Sequence, residues 1–152
     1  MQNKFGFILV KPQLGENIGA CARSMKNFGF SKLHIVSPKI NFPNHKAKAT
    51  SVGAYDIINK AKDFNETKDA ISNFNIIISF SARRRDINKK HISLNDFIKL
   101  VKNKNKSNFG LMFGPEASGL SNEDLSFSNY VLHIPTSPKF KSLNLSHSLT
   151  II

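Results

Sequence analysis

The chain has 152 residues, 40% of them apolar and 13 of them Phe, which is enough for one compact domain with a hydrophobic core. Its 22 Lys and Arg outnumber the 10 Asp and Glu, and the net charge of +12 indicates a polyanionic partner. A general bias toward Lys, Asn and Ile is the alternative origin of this charge. One cysteine excludes an internal disulfide and a cysteine zinc cluster, and the five His residues lack metal-ligand spacing, so we expect no metal.

The sequence contains no apolar run long enough to span a membrane, and the short apolar run near its start lacks a signal-peptide cleavage pattern. We therefore expect a cytoplasmic protein with no membrane contact and a single domain over residues 1–152. An apolar helical pattern has only begun when the sequence stops at Ile152, which leaves a truncated C-terminal helix as a possibility.

Five runs rich in β-branched and aromatic residues predict buried strands, at residues 5–10, 32–36, 74–80, 109–113 and 130–134. Apolar residues at helical spacing predict helices between them, at residues 18–28, 66–72, 93–101 and 122–127. This alternation predicts an α/β fold with a mostly parallel sheet and helices on both faces. Ligands of such folds bind beyond the carboxyl ends of the strands.

Three segments that leave predicted strands are rich in the residue types that wrap a backbone around a ligand. The first, residues 11–23, ends a strand and begins a helix that contains Asn17 and Arg23. An ordinary capped helix with a solvated Arg23 is the alternative interpretation, because Asn is a good capping residue.

The second segment, residues 114–125, places Gly114, Pro115 and Gly119 around Glu116 and then opens a helix at Ser121. This composition is typical of a rigid loop whose backbone reads an adenine or ribose edge, although Glu116 could instead only anchor the loop. The third segment, residues 134–146, again leaves a strand and enters a helix.

Taken together and in this order, the three segments resemble the three motifs of the SPOUT superfamily, in particular the TrmH-like RNA ribose 2′-O-methyltransferases. The TrmJ type, which methylates cytidine and uridine in the tRNA anticodon loop, is the most similar. Residues 51–56 (SVGAYD) and 79–85 (SFSARRR) also resemble that type, whereas Pro115 stands where its members often have Arg.

The resemblance implies a C-terminal trefoil knot, a homodimer and S-adenosylmethionine as the cofactor. It also implies the ribose 2′-hydroxyl of an RNA, with tRNA as the preferred substrate, as the methyl acceptor. A ribosomal RNA substrate and a non-catalytic knotted RNA-binding module remain alternatives. By position, the resemblance implies catalytic roles for Arg23, Asn17, Ser142 and Asn144. It implies cofactor binding by Ser79, Phe80, Ser81, Gly114, Glu116, Gly119, Ile134, Pro135, Ser142, Leu143 and Asn144.

Arg23 is expected to act electrostatically, because a guanidinium stays protonated at neutral pH and has no free lone pair with which to accept a proton. It would stabilise the developing alkoxide and contact RNA.

Arg83, Arg84 and Arg85 form the densest cationic cluster and are predicted to contact RNA phosphates, with a solvated surface as the alternative. No Gly-x-Gly-x-x-Gly or P-loop motif follows a strand, which argues against dehydrogenases and kinases. Cys21 is predicted to lie in the helix core.

Overall fold

The computed structural model describes residues 2–81 and 88–152. Within them, seven strands form one sheet in the order β3-β2-β1-β6-β4-β7-β5, and every pairing between these strands is parallel. The strands are β1 (Phe5–Val10), β2 (Leu33–Val36), β3 (Lys62–Phe64), β4 (Ile76–Phe80), β5 (Lys90–Ile92), β6 (Phe109–Phe113) and β7 (Tyr130–Leu132). The predicted parallel α/β sheet is confirmed.

Helices cover both faces of the sheet. They are α1 (Gly15–Asn27), α2 (His45–Ser51), α3 (Tyr55–Asn59), α4 (Thr67–Ile71), α5 (Leu94–Asn103), α6 (Asn122–Ser126) and α7 (Leu145–Thr150). No helix within the described residues is long and apolar enough to cross a membrane.

The central strand β1 contributes to two hydrophobic cores, because successive side chains of a strand point to opposite faces. Phe7 and Leu9 pack with residues of α1, α5 and α7, whereas Ile8 and Val10 pack with residues of α4 and α6. All six residues of β1 are buried. This double burial explains why the strand is an unbroken apolar run.

The differences from the sequence prediction lie at the sheet edges and after β2. The edge strands β3 and β5 and the short helices α2 and α3 were not predicted, because each has few apolar residues to form a pattern. The predicted strand at 74–80 begins only at Ile76, and the one at 130–134 ends at Leu132. Ile134 is buried beyond the end of its strand.

Helix α2 packs closely against α1 at Gly19, where a side chain would have no room. A Cβ atom there would overlap Thr50 Oγ1, the Ala47 carbonyl oxygen and the Ser51 amide nitrogen. Two of these atoms belong to the backbone, so they cannot move aside without shifting α2. This contact fixes the position of α1, whose first turn belongs to the candidate site.

We predict that Gly19→Ala lowers the free energy of unfolding by about 1–3 kcal/mol, because overpacking outweighs the better helix propensity of Ala. Urea unfolding measures this change. Gly53→Ala is the matched control, because a Cβ atom at Gly53 meets nothing within 4 Å. Equal stability of the Gly19→Ala variant and the unsubstituted chain would contradict the predicted overlap.

Candidate active site

The carboxylate of Glu116 joins the loop after β6 to the start of α1. Its Oε2 accepts a hydrogen bond from the Gln13 amide at 2.9 Å, and its Oε1 accepts one from the Leu14 amide at 3.3 Å. Oε1 also accepts a hydrogen bond from Asn17 Nδ2 at 2.8 Å. In return, the Ala117 amide donates to Gln13 Oε1 at 3.0 Å. Two of the three predicted segments are therefore held together by four hydrogen bonds.

Asn17 extends this network to the third segment. Asn144 Nδ2 donates to Asn17 Oδ1 at 3.0 Å. Asn144 is also the N-cap of α7, where its Oδ1 accepts hydrogen bonds from the Ser146 amide at 2.9 Å and from Ser146 Oγ at 2.8 Å. The three segments thus meet at the carboxyl edge of the sheet.

Asn17 is not the helix cap that its residue type allowed. The N-cap of α1 is Leu14, which makes no side-chain capping bond, and Asn17 lies within the first turn. Asn17 is only 8% exposed, and both the nitrogen and the oxygen of its side-chain amide form hydrogen bonds with side chains from other segments. The part of the alternative interpretation that made Asn17 a helix cap is therefore wrong, whereas Arg23 is exposed, as that interpretation expected.

Two glycines shape the loop after β6. At Gly114, a Cβ atom would overlap backbone atoms of Gly119 and Leu120, so the two ends of the loop approach each other closely. Gly119 has a φ of +69°, a left-handed conformation that glycine adopts without strain. The Gly119 amide donates to the Pro115 carbonyl at 2.8 Å, which closes the turn.

A cavity of about 410 Å³ opens between these loops. Its volume is in the range of roughly 300–1,000 Å³ that is usual for small-molecule sites. Apolar and polar groups share its wall. The residues lining it are Phe80, Ser81, Phe113, Gly114, Pro115, Glu116, Ala117, Ser118, Gly119, Ile134, Thr136, Lys141, Ser142, Leu143, Leu145 and Ser148.

Most of the residues predicted to bind the cofactor line this cavity. They are Phe80, Ser81, Gly114, Glu116, Gly119, Ile134, Ser142 and Leu143. Pro135 and Asn144 lie beside lining residues without lining the cavity themselves. Ser79 does not line the cavity. It is fully buried, and its hydroxyl forms a hydrogen bond with the Ser128 hydroxyl.

The sequence analysis did not assign several lining residues, namely Phe113, Ala117, Ser118, Thr136, Lys141, Leu145 and Ser148. Most of these residues lie within or next to the predicted segments, so their position in the chain was a usable signal. Gln13 was also missed, although its side chain braces the loop after β6. No pattern in the sequence distinguishes such a bracing residue from its neighbours.

Arg23 lies on the exposed side of α1 and does not line the cavity of its own chain. Ser24, the next residue, is buried and forms a 2.7 Å hydrogen bond with Thr150 of α7. The predicted catalytic residues are thus divided: Asn17 and Asn144 contact each other, Ser142 lines the cavity, and Arg23 lies apart from it.

Arg83, Arg84 and Arg85 lie outside the described residues. Lys89, which follows them, donates hydrogen bonds to the carbonyl oxygens of Ser126 at 2.6 Å and Ser128 at 2.9 Å. Lys89 therefore ties the segment before β5 to the segment between α6 and β7.

Cys21 is completely buried in α1, as predicted. Burial raises the pKa of its thiol far above the usual range, so the reactive thiolate is strongly disfavoured. Among the residues that the structure describes, no three or more His, Cys, Asp and Glu side chains gather as a metal site would require.

The residues of the cavity fit a nucleoside sulfonium such as S-adenosylmethionine. Phe113, Ile134, Leu143 and Leu145 give apolar surface for a planar base, and the glycine-rich loop offers backbone groups for its polar edge. The Thr136 hydroxyl is buried and lacks a hydrogen-bond partner among the described residues. A polar ligand group in the cavity is a suitable partner for it.

Comparison with known proteins agrees with this geometry. The tRNA (cytidine-2′-O-)-methyltransferase TrmJ of Methanocaldococcus jannaschii is 38% identical over 95% of this chain and 64% of its own length. The tRNA (cytidine/uridine/adenosine-2′-O-)-methyltransferase TrmJ of Pseudomonas aeruginosa is 33% identical over 100% of this chain and 60% of its own length. The chain thus spans less than two thirds of either relative.

The crystal structure of TrmJ from Z. mobilis ZM4 is similar to this fold with a TM-score of 0.90 and 32% sequence identity, over 96% of this chain and 65% of that one. Residues 4–152 match the sequence profile of the SpoU rRNA Methylase family. Because this match covers nearly the whole chain, the protein belongs to the SpoU rRNA Methylase family.

Proposed function

We propose that this chain is the methyltransferase domain of an enzyme that uses S-adenosylmethionine to methylate a ribose 2′-hydroxyl of tRNA, in the anticodon loop. The observation that supports this most strongly is the meeting of the three predicted segments around one cavity at the carboxyl edge of the sheet. The names of the relatives from M. jannaschii and P. aeruginosa specify tRNA and the 2′-oxygen. We further propose that residues 1–152 form a single domain with the trefoil knot that the resemblance implies.

Bound S-adenosylmethionine would supply an electrophilic methyl group carried on a sulfonium. The apolar side chains of Phe113, Ile134 and Leu143 would hold the nucleoside part and exclude water from it. The loop from Gly114 to Gly119, braced by Glu116, would present its backbone groups in a fixed arrangement. Such pre-positioning of two reactants accounts for a large part of the rate in transfer reactions.

We assign positioning roles to Asn17 and Asn144, because their side chains bind each other, Glu116 and the start of α7. Ser142 differs from them, because it is exposed and lines the cavity. Its hydroxyl would contact the ribose or the ligand.

Arg23 is proposed to stabilise the developing alkoxide and to contact RNA, not to accept the proton. Because it does not line the cavity of its own chain, it would act through RNA that extends over α1 or from a second copy.

A homodimer is also proposed. An apolar groove of about 910 Å³ beside α1, α5 and α7, which includes Met25, Phe28 and Phe97, supports this proposal.

Several basic residues lie in or after the strand-end segments of the cavity edge, namely Lys11, Lys39, Lys139 and Lys141. They suit a phosphate backbone, which dominates the affinity of proteins for RNA. We propose that Arg83, Arg84 and Arg85 add to this contact.

Calorimetry with S-adenosylhomocysteine tests the proposal directly. We expect saturable binding to the purified chain, because the by-product keeps the nucleoside that the cavity would hold. No binding would contradict the proposed methyltransferase activity and favour an RNA-binding module.

Mapping of 2′-O-methylation in tRNA and ribosomal RNA from a deletion strain identifies the substrate. A loss of methylation confined to ribosomal RNA would overturn the tRNA assignment.

We predict that Arg23→Ala lowers methyl transfer by about 100-fold or more and leaves S-adenosylhomocysteine affinity nearly unchanged, because the guanidinium stabilises charge only as the reaction proceeds. Single-turnover rates and calorimetry separate the two effects. Lys99→Ala is the matched control, because it removes one exposed positive charge from α5. Equal loss of rate and cofactor affinity in Arg23→Ala would show that Arg23 has another role.

We predict that Glu116→Gln lowers the free energy of unfolding by about 1–2 kcal/mol and weakens S-adenosylhomocysteine binding. The carboxylate accepts from three donors, and an amide NH₂ group in its place would oppose at least one of them. Urea unfolding and calorimetry measure the two effects. Glu123→Gln, at an exposed position in the first turn of α6, is the control. A Glu116→Gln variant with unaltered stability and affinity would refute the bracing role.

A further inference from the structure

Thr136 is a polar residue of the cavity wall that the proposed function has not yet used. It lies in the segment between β7 and α7, two residues after the buried Ile134. The residue lines the cavity, and its Oγ1 is buried without a hydrogen-bond partner among residues 2–81 and 88–152.

The other polar side chains of the cavity wall are in different situations. Glu116 accepts three hydrogen bonds, and Ser148 Oγ donates to the Asn144 carbonyl at 3.1 Å. Ser81 and Ser118 have interactions of their own. Lys141 and Ser142 are exposed, so water can solvate them. Among the described residues of the cavity wall, Thr136 is therefore the one with a buried side-chain oxygen that has no hydrogen-bond partner.

A buried hydroxyl without a partner destabilises a folded protein, and nearly all such groups in native structures are satisfied by protein, water or ligand. A threonine hydroxyl both donates and accepts, so either kind of polar ligand atom satisfies it. Rotation about the Cα–Cβ bond to another staggered position moves the hydroxyl to a different place, which lets the side chain adapt to a bound ligand.

The surroundings of Thr136 restrict the kind of ligand group that suits it. The wall of the same cavity contains Phe113, Ile134, Leu143 and Leu145, which are apolar. A group with apolar faces and a polar edge matches an apolar wall that contains one unsatisfied hydroxyl. The nucleoside part of the proposed methyl donor has this character.

We propose that Thr136 is a ligand-binding residue of the cavity, whose hydroxyl forms a hydrogen bond with the polar edge of the nucleoside of the bound methyl donor. This inference rests on the proposed function. It adds a residue that the resemblance did not include among the cofactor contacts.

The test is the substitution Thr136→Val, which removes the hydroxyl and keeps the shape of the side chain. S-adenosylhomocysteine affinity, measured by calorimetry, is expected to fall about fivefold, the effect of one lost hydrogen bond. The melting temperature of the ligand-free variant is expected to stay equal or rise, because the unsatisfied buried hydroxyl is gone. Thr136→Ser, which keeps a hydroxyl, is expected to retain most of the affinity.

Thr150→Val is the matched control, because it makes the same chemical change where the hydroxyl has partners. Thr150 Oγ1 donates to the Ser146 carbonyl at 2.7 Å and forms a hydrogen bond with Ser24. This control is expected to lower the melting temperature and to leave the affinity unchanged, which is the opposite pattern.

The possible outcomes separate this inference from the proposed function. If the unsubstituted chain does not bind S-adenosylhomocysteine, the proposed function fails first. If that chain binds and Thr136→Val binds equally well, the function stands and the role of Thr136 is overturned. A Thr136→Val variant that loses affinity together with melting temperature would show a structural role and would also overturn the inference.

Discussion

The structure of the cavity depends on one carboxylate at the start of a helix. Helix α1 begins at Gly15 after Leu14, an N-cap residue whose side chain cannot accept a hydrogen bond. Glu116, from a loop about one hundred positions further along the chain, accepts hydrogen bonds from the amides of Gln13 and Leu14 just before the helix, and it places negative charge near the positive end of the helix. These hydrogen bonds therefore hold the start of α1 and the loop after β6 in a fixed relative position.

The order of the strands explains why this contact is possible. β6 lies directly beside β1, and β4 separates β6 from β7. All these strands are parallel, so the segments that follow them emerge at the same edge. The side-chain network from Glu116 through Asn17 to Asn144 then spans the edge. Residues far apart in the sequence thereby form one wall.

The cavity wall has few charged side chains, whereas the outer surface has many. The cavity wall is made mainly of apolar side chains, serines and backbone, with Glu116 held by its donors. Most of the Lys side chains are exposed on the surface, which suits them to screened contacts with phosphates. Such a division would let RNA bind over a broad basic surface while a pocket with few charged groups holds a small ligand.

The sequence by itself determined the parallel α/β fold and the three segments, because buried strands and glycine-rich loops leave local patterns, and its resemblance to the SPOUT superfamily implied most of the cavity residues. It did not determine the edge strands β3 and β5 or the helices α2 and α3, which are short and are ordered by packing against neighbours. Only the tertiary structure decided that Asn17 binds Glu116 and Asn144, that Ser79 turns away from the cavity and that the Thr136 hydroxyl lacks a partner in the described chain. These properties depend on which atoms meet across the sheet edge, and no local pattern encodes such meetings.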